Sequence, residues 1–267
     1  MTTTRWIVLA IVAVLTVAAA VFYYGQGPQP TETASAPPPK PSALAPASDQ
    51  PEVHYPVPAT EAPEQAPPLP ALDESDEAVR GSMEKSFGKA PVEAFLVPTE
   101  IIRHLVATID SLDRGPVPLH FRPVKHVPGL PVVNAKGDTI VTLSPDNAKR
   151  YEPYISALRA VDAKRFADVY RHYYPLFQNA YEALGYPGRY FNDRLIPILD
   201  HLLATPDISE PTQLVQPKVL YQFADPEVEK RSWGQKTLIR MGPVNAAAVK
   251  AKLREIRALI ALKADKP

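Results

Sequence analysis

The sequence predicts a mainly α protein: a single compact helical domain with a small β-hairpin, preceded by one transmembrane helix and a disordered Pro-rich linker. Three observations support this fold class. Apolar residues recur at spacings of three and four between residues 162 and 206, which is the pattern of amphipathic helices. Residues 6–24 carry no charged side chain. Fourteen of the 32 prolines lie between residues 28 and 70, where they disfavour helices and sheets.

Residues 6–24 have the length and composition of a membrane-spanning helix. At about 1.5 Å per residue they span roughly 28 Å, close to the thickness of the hydrocarbon layer. Arg5 precedes the run and the next cation is Lys40, so the positive-inside rule places residues 1–5 in the cytoplasm. We therefore expect a single-pass protein of the inner (cell) membrane with a periplasmic C-terminal domain. The alternative is a cleaved signal peptide with its small-residue site at residues 18–20.

Residues 25–70 are predicted to be a disordered linker. They are rich in Pro, Ala, Glu and Thr, and such a segment buries too little apolar surface to offset its ordering entropy. Polyproline segments make it a semi-rigid spacer with a reach on the order of 100 Å. The alternative is a docking strip for a proline-recognising partner. Residues 71–267 then form the mainly helical domain, which is long enough for one sizeable core.

Bulk composition excludes several classes of function. The 29 Lys and Arg residues balance 29 Asp and Glu residues, so the chain lacks the basic excess of a nucleic-acid-binding protein. There is no cysteine, which excludes disulfides, thiolate catalysis and cysteine metal sites. The sequence contains no phosphate-binding loop, dinucleotide-binding fingerprint, nucleophile elbow or His-Glu-x-x-His motif. We therefore expect no nucleic-acid partner, no cofactor and no metal.

The centre of the domain is predicted to be a helical hairpin between residues 162 and 206. Asp162 is the expected N-cap of the first helix, Pro175 is expected to kink or split that helix, and Gly185 is expected to end it. After a tight turn, the second helix is expected to be capped by Asn192. The buried face of this second helix is predicted to comprise Ile198, Leu199, Leu202 and Leu203.

Shorter elements are predicted on both sides of this hairpin. Residues 99–115 predict a helix, residues 132–143 a β-hairpin, and residues 216–223 an extended segment or, nearly as well, a helix. Ser232 and Gln235 match a capping box at the start of a short helix. The last helix is expected to carry a solvated basic face formed by Lys250, Arg254 and Arg257.

The densest group of ionisable residues lies at residues 189–201, where Asp193, Asp200 and His201 are the candidate catalytic residues. Asp193 and Asp200 are seven positions apart and therefore share a helix face about 10 Å from each other. This is too far for either carboxylate geometry of a glycosidase unless another element supplies the second acid. The structural alternative is that Asp200, beside a buried stripe, forms an ion pair that fixes helix packing. The nearest partners for that pair are Arg189, Arg194 and His201.

Several longer strings carry a resemblance to a known family. They are LPALDESD, RYEPY, YPLFQNAYEALGYPGRYFNDRL, LDHLLATP, QPKVLYQFADPE, GQKTLIRMGPVN and KAKLREIR. In this order they resemble the bacterial domain-of-unknown-function family 3014, from about Leu69 to Ile260. The resemblance implies an envelope-anchored bacterial protein with a membrane helix and a proline-rich spacer. It implies no reaction, ligand or catalytic residue.

These features support two hypotheses from different classes. The first is a non-enzymatic binding or scaffolding module that faces the periplasm and meets an envelope protein or the cell wall, because the chain combines an anchor, a long reach and a compact domain without a catalytic motif. The second is an envelope hydrolase that uses the acidic residues of the 189–201 region. A solvent-open cleft holding these acids would favour the hydrolase, and their burial in paired hydrogen bonds would favour the module.

Overall fold

The computed structural model describes residues 53–57, 69–136, 140–208 and 210–261. The predicted transmembrane helix and most of the predicted linker therefore lie outside the described residues. Among the residues described, no helix is both long and apolar enough to cross a membrane. Residues 53–57, which the sequence assigns to the linker, instead lie against the helical domain, where Tyr55 and Val57 pack on its core.

The predicted fold class is confirmed for the described part of the chain, which is mainly helical with a small antiparallel sheet. The α-helices are α1 (Asp76–Phe87), α2 (Lys89–Phe95), α3 (Ile101–Ser111), α4 (Glu152–Arg159), α5 (Ala163–Ala183), α6 (Phe191–Leu203), α7 (Pro226–Glu229), α8 (Trp233–Arg240) and α9 (Pro243–Ile260). Short 3-10 helices span Leu72–Glu74, Leu119–Phe121 and Pro145–Tyr151. The strands are β1 (Val133–Lys136), β2 (Ile140–Leu143), β3 (Gln213–Val215) and β4 (Gln222–Phe223).

Helix α5 is the centre of the main core and packs against α3 and α9. The Asp162 carboxylate accepts hydrogen bonds from the backbone N–H groups of Lys164 and Arg165, which confirms the predicted N-cap. Pro175 does not split the helix, which continues through it to Ala183. Although proline removes one backbone hydrogen bond, buried side chains such as Tyr173 precede it and others follow it, and their packing holds both halves in one helix.

The connection between α5 and α6 agrees with the prediction at Gly185 but not at Asn192. Gly185 ends the hairpin's first helix with a φ of 111°, a conformation that glycine adopts without steric cost. The predicted cap at Asn192 is wrong, because α6 begins at Phe191 and its N-cap residue Tyr190 makes no side-chain capping bond. Asn192 is instead buried and forms hydrogen bonds across the core, to Tyr170 among others.

The sheet builds a second, smaller core beside the first. The predicted hairpin is confirmed as β1–β2, with Val133 opposite Leu143, and all neighbouring strands in the order β1-β2-β3-β4 are antiparallel. Of the predicted extended segment 216–223, only Gln222–Phe223 is a strand. The buried residues of this core are Leu214, Phe223, Val228 and Ile239. Helix α8 therefore contributes to both cores, and the 3-10 helix Pro145–Tyr151 lies between them.

Candidate functional site: an arginine-lined pocket

The three candidate residues of α6 lie in separate contacts. The Asp193 carboxylate accepts the backbone N–H groups of His54 at 3.0 Å and Tyr55 at 2.7 Å. His201 Nε2 lies 2.8 Å from the Ser232 hydroxyl at the start of α8. The Gln235 side chain donates to the His201 carbonyl rather than back to Ser232, so only half of the predicted capping box forms.

Asp200 does not pair with any of the partners expected from sequence. Its carboxylate accepts two hydrogen bonds from the Arg257 guanidinium on α9, one of them 2.8 Å long from Nη2. The Asp200 side chain is 48 % exposed and that of Arg257 33 %, so this ion pair lies at the surface. The expected solvated basic face of α9 is likewise wrong for Lys250, which is buried and donates to the Thr205 carbonyl at 2.6 Å.

Arg194, which was an expected partner of Asp200, instead links α6 to α3. Its Nε donates to Asp110 at 2.7 Å, and its two terminal nitrogens each lie 2.8 Å from an oxygen of Asp113. Burial lowers the pKa of Arg194, but hydrogen bonds to Asp113 and Asp110 more than reverse this effect, so the pKa lies above its ordinary value. This network packs Arg194 of α6 against Asp110 of α3 and Asp113, which follows it.

A concave site lies elsewhere, where the sheet, the 3-10 helix Pro145–Tyr151 and the end of α8 meet. This pocket has a volume of about 280 Å³. We call it the arginine pocket, because two arginines line it and no acidic residue or histidine is among its described lining residues. Its lining comprises Gly129, Leu130, Pro131, Leu143, Asn147, Arg150, Tyr151, Leu214, Gln216, Val219, Leu220, Tyr221 and Arg240.

Arg240 is the most unusual residue of the arginine pocket. It is 8 % exposed. Within the described ranges its guanidinium forms no ion pair within 4.0 Å, although the Glu229 carboxylate lies near enough to raise its pKa. The guanidinium stacks on Phe223, with 4.7 Å between its central carbon and the ring centroid. Burial lowers the pKa of Arg240, although an arginine stays charged at neutral pH. A buried charge without a direct ion pair is costly, and Glu229 opposes the effect of burial only in part, so this site favours an anion.

Arg150 brings a second positive charge to the same pocket. Its terminal nitrogens donate to Asn147 Oδ1 at 2.9 Å and to the Gly129 carbonyl at 2.6 Å. Its Nε is buried and has no hydrogen-bond partner among the described residues. All of the partners of Arg150 are therefore neutral, and its charge, like that of Arg240, is not balanced by a carboxylate within 4.0 Å in the described part of the chain.

Asn147 and Tyr151 fix the two arginines relative to each other. Asn147 is 1 % exposed, and its Nδ2 donates to the Arg240 carbonyl at 2.8 Å while its Oδ1 accepts from Arg150. The Tyr151 ring lies under Arg150, 5.9 Å from the guanidinium carbon. Burial raises the pKa of the Tyr151 phenol, and the positive charges of Arg150 and Arg240 oppose that rise. These contacts orient the Arg150 guanidinium and the backbone of Arg240 without a ligand, and the stacking on Phe223 orients the Arg240 guanidinium.

The rim of the arginine pocket is apolar. Leu130 is 67 % exposed and Val219 is 61 % exposed, and both line the opening. The Arg150 side chain also borders a wider open groove that contains Phe95 and Tyr154. Since exposed apolar side chains beside a polar pocket are typical of binding surfaces, this arrangement can hold an anionic group that is attached to an apolar one.

Neither Arg150 nor Arg240 is among the site residues predicted from the sequence, although both occur in strings that carry the family resemblance. One local signal was present for Arg240. It lies in the apolar run Leu238 to Met241, and no acidic residue lies three or four positions away to pair with it on the helix. Arg150 and Asn147 carry no such signal, because apart from the hydrogen bond between them their side chains bond to residues 15 or more positions away in sequence.

The comparisons with known proteins give one family. Residues 101–257 match the family described as "Protein of unknown function (DUF3014)". All of the residues that line the arginine pocket lie within the matched range, whereas the LPALDESD string precedes it. Neither the curated proteins nor the solved structures contain a significant match. Because the match covers more than half of the 267 residues, this chain belongs to the DUF3014 family.

Proposed function

We propose that this chain is a membrane-anchored, non-enzymatic binding module of the bacterial cell envelope, and that the arginine pocket is its ligand-binding site. In this proposal residues 6–24 span the inner membrane, residues 25–52 are a spacer, and the helical domain faces the periplasm. The uncharged run and the proline-rich composition of the N-terminal residues support the anchor and the spacer. The partner is an envelope protein or a component of the cell wall.

One observation supports the binding role: the guanidinium of Arg240 is buried at the pocket without a direct ion pair to a carboxylate of the described residues. Arginines in protein interiors are ordinarily paired with carboxylates, as Arg194 is with Asp110 and Asp113. A ligand anion would supply the missing pair and form charge-assisted hydrogen bonds, which are about twice as strong as neutral ones. Asn147 already orients the Arg150 guanidinium and Phe223 stacks on that of Arg240, so little ordering entropy opposes binding.

The dimensions of the site limit the ligand. A volume of about 280 Å³ is at the small end of ligand pockets, which hold roughly 300–1,000 Å³. The exposed side chains of Leu130 and Val219 offer contacts to an apolar group next to the anion. The ligand is therefore a carboxylate or similar anion joined to an apolar side chain, with the rest of the partner lying outside the pocket.

A pair of small probes tests this proposal. N-acetyl-leucine carries a free carboxylate beside an apolar side chain, and N-acetyl-leucinamide differs from it only in lacking the charge. We expect the acid to bind at least about 10-fold more tightly by calorimetry, since a hydrogen bond to a charged group contributes about 1.5–3 kcal/mol. Binding of the acid should also weaken as salt is added. Equal affinities for the acid and the amide would contradict the proposal.

Two arginine variants provide the matched comparison. Arg240→Met keeps most of the aliphatic chain and removes the charge, and it should lower the affinity for N-acetyl-leucine at least about 10-fold. Arg257→Met removes an arginine from the surface pair with Asp200 and should leave that affinity unchanged. Thermal melting of both variants verifies folding. Unchanged binding by a folded Arg240→Met variant would exclude the arginine pocket as the binding site.

The envelope location is tested in cells. A reporter enzyme that is active only outside the cytoplasm, fused after Pro267, should be active, and cytoplasmic activity would overturn the proposed orientation. A photo-crosslinking residue at Val219, on the pocket rim, should form an adduct that disappears when Arg240→Met is added. The same residue at Leu184, which is 43 % exposed at the end of α5, is the control and should not form that adduct.

A further inference from the structure

We infer that Asp193 and Asn192 form a binding site for an extended peptide, and that residues 53–57 of the same chain are its ligand. We call these two side chains the linker clamp. This inference stands on contacts at the start of α6, independent of the arginine pocket and of the membrane anchor. It also gives a structural role to Asp193, which the sequence predicts as a candidate catalytic residue.

The Asp193 side chain binds the backbone of the peptide. One carboxylate oxygen accepts the N–H of His54 at 3.0 Å and the other accepts the N–H of Tyr55 at 2.7 Å. Both bonds are charge-assisted, and a carboxylate in the first turn of a helix is further stabilised by the helix dipole. The two oxygens therefore recognise two successive backbone N–H groups, whatever side chains these residues carry.

Asn192 completes the site from inside the core. It is 0 % exposed, and its Nδ2 donates to the carbonyl of Tyr55 at 2.9 Å and to the carbonyl of Ile260 at 3.1 Å. Its Oδ1 accepts the hydroxyl of Tyr170 at 2.9 Å. Since these bonds fix the amide group, Asn192 presents its N–H₂ to the peptide in a set orientation. The same residue ties the peptide to the end of α9.

Side-chain contacts add to these backbone bonds. Tyr55 and Val57 are partly buried and pack against the main core, whereas His54 is exposed. Pro56 between them has no N–H group and therefore needs no acceptor. The ligand of the linker clamp is thus an extended peptide with two successive N–H groups, followed by a proline and flanked by apolar side chains. Residues 53–57 have this composition in a segment that otherwise resembles a featureless spacer.

The clamp changes the geometry of the linker. If residues 53–57 are bound, the free spacer is residues 25–52 rather than 25–70, and its reach is on the order of 90 Å at about 3.1 Å per residue. The linker also leaves the domain at a fixed point beside the start of α6 and the end of α9. The point at which the spacer joins the domain is then the contact with Asp193 rather than residue 71, where the sequence predicts the helical domain to begin.

Hydrogen–deuterium exchange on the full-length protein tests the inference. In the wild-type protein the amides of His54 and Tyr55 should be protected. In Asp193→Ala they should exchange at least about 10-fold faster, since each loses a charge-assisted hydrogen bond, while the amides of the core helices are unchanged. The control is Asp146→Ala, which removes an exposed carboxylate that pairs with Lys149, and it should leave the exchange of residues 53–57 unaltered.

A second variant keeps the test valid if Asp193→Ala does not fold. Tyr55→Pro removes the N–H group that donates to Asp193 and leaves the helical domain unchanged in sequence, and it should release His54 to fast exchange as well. Unprotected amides at His54 and Tyr55 in the wild-type protein would overturn the inference. Protection that rises with protein concentration would also overturn it, because the clamp would then bind the linker of a second copy.

Discussion

Asp110→Ala should destabilise the protein far more than Asp200→Ala, although both residues pair with an arginine of another helix. The Asp110 side chain is 6 % exposed and accepts from Arg194 at 2.7 Å and from the Tyr186 hydroxyl at 3.2 Å. It also accepts from the Arg114 guanidinium. Removing one partner of a buried ion pair costs about 3–5 kcal/mol.

The lower end of that range applies, since Asp113 remains to hold the Arg194 guanidinium. A loss of about 3 kcal/mol lowers the melting temperature of a domain of this size by roughly 6–12 °C, at about 2–4 °C for each kcal/mol. Asp200 and Arg257 are 48 % and 33 % exposed, and such surface pairs contribute about 0–1 kcal/mol. Asp200→Ala should therefore shift the melting temperature by no more than about 4 °C.

Thermal unfolding followed by circular dichroism on the purified protein measures both shifts. A double-mutant cycle of Asp110→Ala with Arg194→Met then isolates the coupling of the pair, which we expect to be at least about 1 kcal/mol. The reasoning fails if Asp200→Ala is as destabilising as Asp110→Ala. It also fails if the double variant loses the full sum of the two single losses, because Asp110 and Arg194 would then act independently.

Two further predictions concern packing and pH. Gly234→Ala should lower the free energy of unfolding by about 1–3 kcal/mol, because the added Cβ would lie 2.6 Å from Leu202 Cδ2 and 2.8 Å from the Leu112 carbonyl oxygen. The control is Gly81→Ala, on an open helix surface, which should raise the free energy of unfolding by about 0.5–1 kcal/mol. Denaturant unfolding measures both changes. Burial lowers the pKa of His104 below its ordinary value of 6.5, and the charges of Glu100 and Asp76 only partly oppose this. The His104 imidazole therefore binds a proton more readily in the unfolded chain than in the folded one. The stability gained by burying neutral His104 is complete above pH 6.5 and is lost as the pH falls through the folded-state pKa. His104→Phe should flatten the slope of stability against pH between about pH 7.5 and about pH 5.5, and an unchanged slope would contradict this assignment.

Local signals in the sequence predicted much of the fold. Asp162 caps α5 and Gly185 ends it with a positive φ as expected, because capping depends on atoms within a few residues of the helix end. The β1–β2 hairpin is also set by a short range of residues. The error at Asn192 arose because burial of that side chain in the core outweighed a local capping preference. At Pro175, where the sequence predicts a kink or a split, the helix is not split.

The candidate site was much less predictable than the helices. The sequence indicates that charged residues concentrate in α6, but the partners of Asp193, Asp200 and Arg194 come from residues 53–57, from α9 and from α3. An ion pair between helices depends on how those helices pack, and no spacing within one helix specifies it. The expected pairing of Asp200 with Arg189, Arg194 or His201, all close to it in sequence, is wrong for this reason.

The sequence by itself determined the mainly helical class of fold, several helix ends such as those at Asp162, Gly185 and Ser232, and the family. Only the tertiary structure decided that Arg150 and Arg240, ninety positions apart in sequence, line one pocket, and that Asp193 binds the end of the linker. The physical reason is the range of the interactions. Helix caps and apolar periodicity act over one or two turns of chain, whereas a pocket exists only where separate elements leave a space between them, and its charge depends on which side chains lack a partner there.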